Sequence, residues 1–179
     1  MKKNLKKKIN RFKIRICELA KLSGDGHVPS ALSILDIVWI LYDKIVDIRK
    51  IKSNSLSRDH IILSKGHASL AQYVVLENKK IITTKSLNSF TKYNSNFGGH
   101  PDKNKIKGVE ASTGSLGHGF PIAAGIAYSK KILNLNSKVF CIIGDGECNE
   151  GTIWETCLIA SNYNLNNLIC IVDKNKSTD

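Results

Sequence analysis

Val139-Phe140-Cys141-Ile142-Ile143-Gly144-Asp145-Gly146 runs five apolar residues straight into a glycine-flanked carboxylate. A run this short, branched and continuous predicts a buried parallel strand. A second such run, Leu168-Ile169-Cys170-Ile171-Val172, is followed by Asn175, thirty positions after Asp145. Between them, Glu150 to Tyr163 has helical spacing. The pattern is a βαβ unit, and it places Asp145 and Asn175 just past the carboxyl ends of two strands. Open α/β sheets bind ligands along that edge. A carboxylate and an amide carbonyl are hard oxygen donors suited to Mg²⁺ holding a diphosphate. The flanking glycines let backbone approach a phosphate closely. Taken alone, the same residues also read as a simple turn and a strand-end cap.

Working outward, Ile61-Ile62-Leu63 predicts a third short buried strand, with Ser64-Lys65-Gly66 as the turn after it. A helix is expected from His67 to about Leu76, another over 86–92, and a longer one from Gly117 to Ile132, where Pro121 is tolerable in the first turn. Pro29 and Ser30 open a helix through Leu41 that is apolar nearly all round, so burial on more than one side is expected. From Asn94 to Thr113 the chain is polar and glycine-marked, with no sustained period. A loop this long in a compact domain is usually functional or disordered. Alternating strands and helices predict an α/β fold: a parallel sheet flanked by helices.

Length fits one domain spanning 1–179. The net charge of +12 is unevenly placed: residues 1–15 hold eight Lys or Arg and no acid, and subtracting those eight leaves +4 for the rest. Leu5, Ile9, Phe12, Ile16 and Leu19 fall three or four apart, so residues 1–22 read as a basic amphipathic helix with one buried stripe. That reading is preferred to nucleic-acid or membrane binding. No segment approaches the roughly 18 apolar residues of a membrane span, and Arg11, Lys13 and Arg15 interrupt any signal-like start, so a cytoplasmic protein is expected. The five cysteines form no CxxC pair. They predict neither a disulfide framework nor a zinc site. Cys141 and Cys170 are expected inside buried strands, and Cys148 near the site as a spectator.

Other blocks carry chemistry-bearing residues: Gly26-His27 opening GHVPSALS, then Ser64-Lys65-Gly66-His67-Ala68-Ser69, Gly99-His100-Pro101, and Gly108-Val109-Glu110-Ala111-Ser112-Thr113-Gly114-Ser115-Leu116-Gly117. Gly144-Asp145-Gly146-Glu147 with Glu150-Gly151 and Trp154-Glu155 closes the series. His27, His67 and His100 each follow a glycine and lie off the apolar faces. His60 matches no block and is expected at the surface. Backbone N–H groups where residues 112–119 open a helix can hold an anion; the glycines there also suit tight helix packing.

In this order the blocks resemble the transketolase family, a thiamine diphosphate-binding fold, across nearly the whole chain. The resemblance implies thiamine diphosphate and Mg²⁺ as cofactors. It implies metal ligation by Asp145, Asn175 and the backbone carbonyl of Ser177. It implies cofactor contacts from His67, Gly114, Ser115, Leu116, Gly144, Asp145, Gly146, Glu150 and Asn175, with Gly114 and Leu116 along the aminopyrimidine and thiazolium side. His27, His67 and His100 are the implied catalytic residues, orienting hydroxyls and stabilising developing charge. His118 stands where the family usually has Gln. Glu150 is read equally as a helix-start carboxylate and as the family's link between paired sites at a subunit interface.

The implied activity is transfer of a two-carbon ketol unit from a ketose phosphate to an aldose phosphate. The family's activating glutamate sits in a separate pyrimidine-binding domain, for which 179 residues leave no room. The resemblance is therefore to the N-terminal subunit of a split transketolase. An oligomer that includes a C-terminal partner subunit is expected. The family's domain continues beyond the position of Asp179, so a C-terminally truncated version is expected. The competing expectations are another thiamine diphosphate enzyme such as deoxyxylulose phosphate synthase, and a non-catalytic fragment that binds a partner.

Overall fold

The fold is that of a computed structural model, which describes residues 2–175 and, in side-chain detail, residues 5–175. Three parallel strands form one sheet in the order β1 (His60–Leu63), β2 (Val139–Gly144), β3 (Leu168–Asp173). The pairing runs from His60 opposite Val139 to Gly144 opposite Asp173. Side chains alternate across the pleat, so each strand feeds two cores. Ile61, Leu63, Phe140 and Ile142 face the first core. Ile62, Val139, Cys141 and Ile143 face the second.

The first core is covered by α1 (Lys2–Ser23), α2 (Val28–Ile40) and α4 (Ser69–Asn78). In α1 the expected stripe is present: Ile9, Phe12, Ile16 and Leu19 are buried, while Leu5 lies half exposed. The basic residues follow the solvated side. Helix α2 packs on both α1 and α4, as its all-round apolar sequence requires. A π-helical turn, Leu41–Ile45, extends it, and α3 (Ile48–Lys52) follows with the Asp47 carboxylate accepting from the Arg49 N–H at 2.9 Å. Neither follows from the apolar pattern.

The second core lies under α6 (Gly119–Ile132) and α7 (Gly151–Asn162). The helix expected over 86–92 is instead the four-residue α5 (Thr84–Leu87). The Thr83 hydroxyl caps it by accepting from the Ser86 N–H, and the chain behind it turns, with Thr91 at positive φ.

Two burial expectations need correction. Both apolar runs read as fully buried, and β2 is buried throughout because it lies between two strands and two helical layers. Among the described residues β3 lies at the edge of the sheet: Ile169 and Ile171 pack on the first core, but Cys170 and Val172 are exposed. His60 is not a surface residue either: it is only 9% exposed, with Nε2 3.5 Å from the Glu110 carboxylate that also pairs with Arg58 at 2.8 Å. Among the described residues no helix is long and apolar enough to cross a membrane.

Burial holds the His60 imidazole at a pKa of about 4, against an ordinary value of 6.5. The unfolded chain therefore binds the extra proton first, and this contribution to stability is lost as pH falls from 6.5 towards about 4. Urea unfolding at pH 7, 6 and 5 is expected to show a steeper loss for wild type than for His60→Gln. Parallel curves would rule this origin out.

Candidate active site

Gly144 and Asp173 are register partners at the ends of β2 and β3, so the residues that follow emerge side by side. The backbone carbonyl of Asp173 accepts from the N–H of Asp145 at 3.1 Å and from the N–H of Asn175 at 3.0 Å. One oxygen thus anchors both candidate metal ligands. Asp145 and Asn175 line a single cavity of about 330 Å³ at this edge of the sheet, a volume in the range of small-molecule sites. Gly144 and Gly146 form its floor beside Asp145.

Three loops complete the wall. Gly26, at φ +116°, turns the chain so that His27 and Ser30 enter the cavity from the start of α2. Lys65 and His67 come from the turn behind β1, where a short 3₁₀ segment, Gly66–Ala68, precedes α4. A Cβ on Gly66 would sit 2.7 Å from the Thr113 carbonyl group, so a residue without a side chain is what lets the two loops touch. Gly114 and Leu116 come from that second loop.

The long segment 94–113 is ordered by bonds from distant side chains. Ser69 donates to the Gly99 carbonyl at 2.8 Å, and Tyr73 donates to the carbonyls of Gly98 and His100 at 3.1 Å. Thr113 donates to the Leu63 carbonyl at 2.6 Å. Phe97, Ile106 and Val109 are buried beneath it. The result brings His100 against Gly114, whose added Cβ would lie 3.1 Å from the imidazole ring.

The three histidines cluster. The His27 and His67 rings meet edge to face with centroids 5.4 Å apart. Burial first, then the charges of Lys65, His27 and His100, push the His67 pKa down to about 4. His67 is therefore a neutral imidazole at physiological pH, able to donate from one nitrogen and accept at the other.

Two buried carboxylates tie the walls together. Glu147, 1% exposed, accepts from the Ser64 hydroxyl at 2.6 Å, the Gly117 N–H at 2.9 Å and the Gly144 N–H at 2.8 Å. Asp173 accepts from the Lys65 ammonium at 2.7 Å and from the Ser33 hydroxyl at 2.8 Å.

Of the residues singled out in the sequence, His27, His67, Gly114, Leu116, Gly144, Asp145, Gly146 and Asn175 line the cavity, and His100 stands behind Gly114. Ser115 is exposed and does not line it. Glu150 is the exposed N-cap of α7, makes no side-chain capping bond and likewise stays outside the cavity wall. Ser177 lies outside the described residues. His118 is exposed, with Nδ1 2.9 Å from the Leu116 carbonyl. Reading the sequence alone passes over Ser30, Lys65, Glu147 and Asp173 as site residues. Lys65 and Glu147 stand in the quoted blocks, and the signal in each is a charge beside a buried strand end.

The chain matches the family described as "Transketolase, thiamine diphosphate binding domain" over residues 5–178. One of the subunits of the apulose-4-phosphate transketolase of Actinobacillus succinogenes is 38% identical over 173 residues, 96% of this chain and 63% of that protein. The protein named "Ferredoxin fas2" from Rhodococcoides fascians is 40% identical over 156 residues, 86% of this chain and 51% of that protein. The chain thus spans between about half and two thirds of these relatives. Transketolase from Leishmania mexicana superposes with a TM-score of 0.83 at 24% identity, over 92% of this chain and 26% of that one, a likeness of fold. With a family match across almost every residue and the same fold in a solved transketolase, the chain belongs to the transketolase family, as its thiamine diphosphate binding domain.

Proposed function

We propose that this chain is the diphosphate-binding subunit of a two-chain transketolase, which moves a two-carbon ketol unit from a ketose phosphate to an aldose phosphate. The observation that carries the reading is the placement of Asp145 and Asn175 at adjacent strand ends in one cavity also lined by His27, Ser30, Lys65 and His67. The donor set fits the cofactor. Two hard oxygen ligands suit Mg²⁺, and hydroxyl, imidazole and backbone donors suit a diphosphate. Bound thiamine diphosphate supplies the chemistry that breaks and re-forms a carbon–carbon bond.

The chain's own residues bind and orient. Asp145 and Asn175 hold the metal, with the Ser177 carbonyl as a further ligand. Gly114 and Leu116, braced by the ring of His100, flank the cofactor. His67, neutral at pH 7, gives a hydrogen bond without adding charge beside the metal. His27 is exposed at the cavity mouth, where it meets substrate hydroxyls. The Actinobacillus relative is named as one chain of a multi-chain transketolase, which supports a separate partner carrying the rest of the active site. Glu150, exposed at the start of α7, is the residue proposed to face that partner.

Calorimetry with thiamine diphosphate and Mg²⁺, on the chain joined by its partner, is expected to show saturable binding that chelation of the metal removes. The same assembly is expected to transfer two carbons between ketose and aldose phosphates. Turnover of pyruvate with no ketol transfer would overturn the assignment.

A further inference from the structure

Asp173 lies outside the cavity wall, yet it bonds three residues that line it, Lys65, Asp145 and Asn175. Its backbone carbonyl fixes the main chain of both Asp145 and Asn175. Its carboxylate Oδ2 accepts from the side-chain amide of Asn175, Nδ2, at 3.1 Å. An amide has a donor end and an acceptor end. Once Nδ2 is bound to a carboxylate, the reverse orientation sets oxygen against oxygen, which the buried charge forbids. The carbonyl end of Asn175 is therefore directed away from Asp173.

The carboxylate is itself held in place. Lys65 donates to Oδ2 from the turn after β1, and Ser33 donates to both oxygens from α2. Two elements far apart in sequence converge on the end of β3. Lys65 is 2% exposed in its side chain and Asp173 9%, so the pair is desolvated and geometrically fixed. Lys65 also cancels a negative charge beside the cavity, so Asp145 acts there without a second carboxylate competing for a cation.

Resting on the proposal that Asp145 and Asn175 hold Mg²⁺, we infer that Asp173, clamped by Lys65 and Ser33, is a positioning residue that aims the Asn175 carbonyl oxygen at the metal. Asp173 is not a ligand. Its part is to choose which end of an amide the ion meets.

Two double variants separate this role from plain structural support. Lys65→Met with Asp173→Leu removes the charge pair and the acceptor for Asn175. Lys65→Met with Asp173→Asn removes the same charges but keeps a carbonyl oxygen as acceptor. Mn²⁺ binding is read by electron paramagnetic resonance, with thiamine diphosphate present, on the full chain in its native assembly. Metal-free unfolding midpoints are measured in parallel. The leucine variant is expected to lose about 10–100-fold in Mn²⁺ affinity, the scale seen when a ligand's supporting partner is removed. The asparagine variant is expected to recover most of that loss at a similar unfolding midpoint. Equal losses in the two variants, or wild-type affinity in the leucine variant, would overturn the inference. Should the leucine variant fail to fold, Ser33→Ala at an exposed position provides the readout: a smaller weakening supports the clamp and unchanged Mn²⁺ affinity counts against it. Wild-type protein that takes up no Mn²⁺ is a different result, one that removes the cofactor reading itself.

Discussion

Asp145→Ala is expected to lower Mg²⁺-dependent thiamine diphosphate affinity by more than about a hundredfold, because even the outer partners of metal ligands cost about 10–100-fold when removed. The carboxylate is the one formally charged oxygen donor of the proposed pair, and its main chain is pinned by the Asp173 carbonyl at 3.1 Å. Among the described residues, the neighbouring carboxylates Glu147 and Asp173 are already engaged, Glu147 by three donors and Asp173 by Lys65 and Ser33. Ketol transfer should fall with affinity and should not return at high Mg²⁺. The measurement is calorimetric titration of cofactor at several Mg²⁺ concentrations, with Lys85→Ala on the exposed side of α5 as the unaffected control. An Asp145→Ala protein that binds within about tenfold of wild type would move the metal elsewhere in the cavity.

Much of this site is legible in the sequence because its essential geometry is local. A continuous apolar run followed by a glycine-flanked acid fixes a strand and its end, and thirty residues later the next strand ends beside it. The strand–helix–strand spacing puts Asp145 and Asn175 at neighbouring strand ends, and the surrounding sequence blocks decide between a site and a simple turn with a cap. What escapes is non-local. The His60 imidazole is buried, and the Glu110 and Lys130 charges it meets lie 50 and 70 positions away along the chain. The loop 94–113 reads as featureless because its order comes from Ser69, Tyr73 and Leu63, residues of other elements. Lys65 and Asp173 are 108 positions apart, and neither looks unusual by itself. The exposure of β3 is hidden for a related reason: an apolar run announces a strand, but whether that strand is central or at an edge depends on what packs over it.

Glu147→Ala is expected to destabilise the folded chain by several kcal/mol, and the size follows from counting what it leaves behind. The Ser64 hydroxyl and the Gly117 and Gly144 N–H groups all donate to this one carboxylate, and it is 1% exposed. Each donor stranded without solvent costs about 1–3 kcal/mol, so a loss of roughly 3–5 kcal/mol is expected against a total of about 5–15. Glu147→Gln should fall between: it keeps one acceptor but turns an amide NH₂ towards a donor, so at least one bond is lost. Urea unfolding midpoints measure the order, wild type above glutamine above alanine. The same carboxylate joins the turn carrying Asp145 to the loop carrying Gly114 and Leu116, so cofactor affinity should weaken in that order too. If alanine unfolds within about 1 kcal/mol of wild type, the three donors find other partners. The loop carrying Gly114 and Leu116 is then held by its close approach to Gly66 and not by charge.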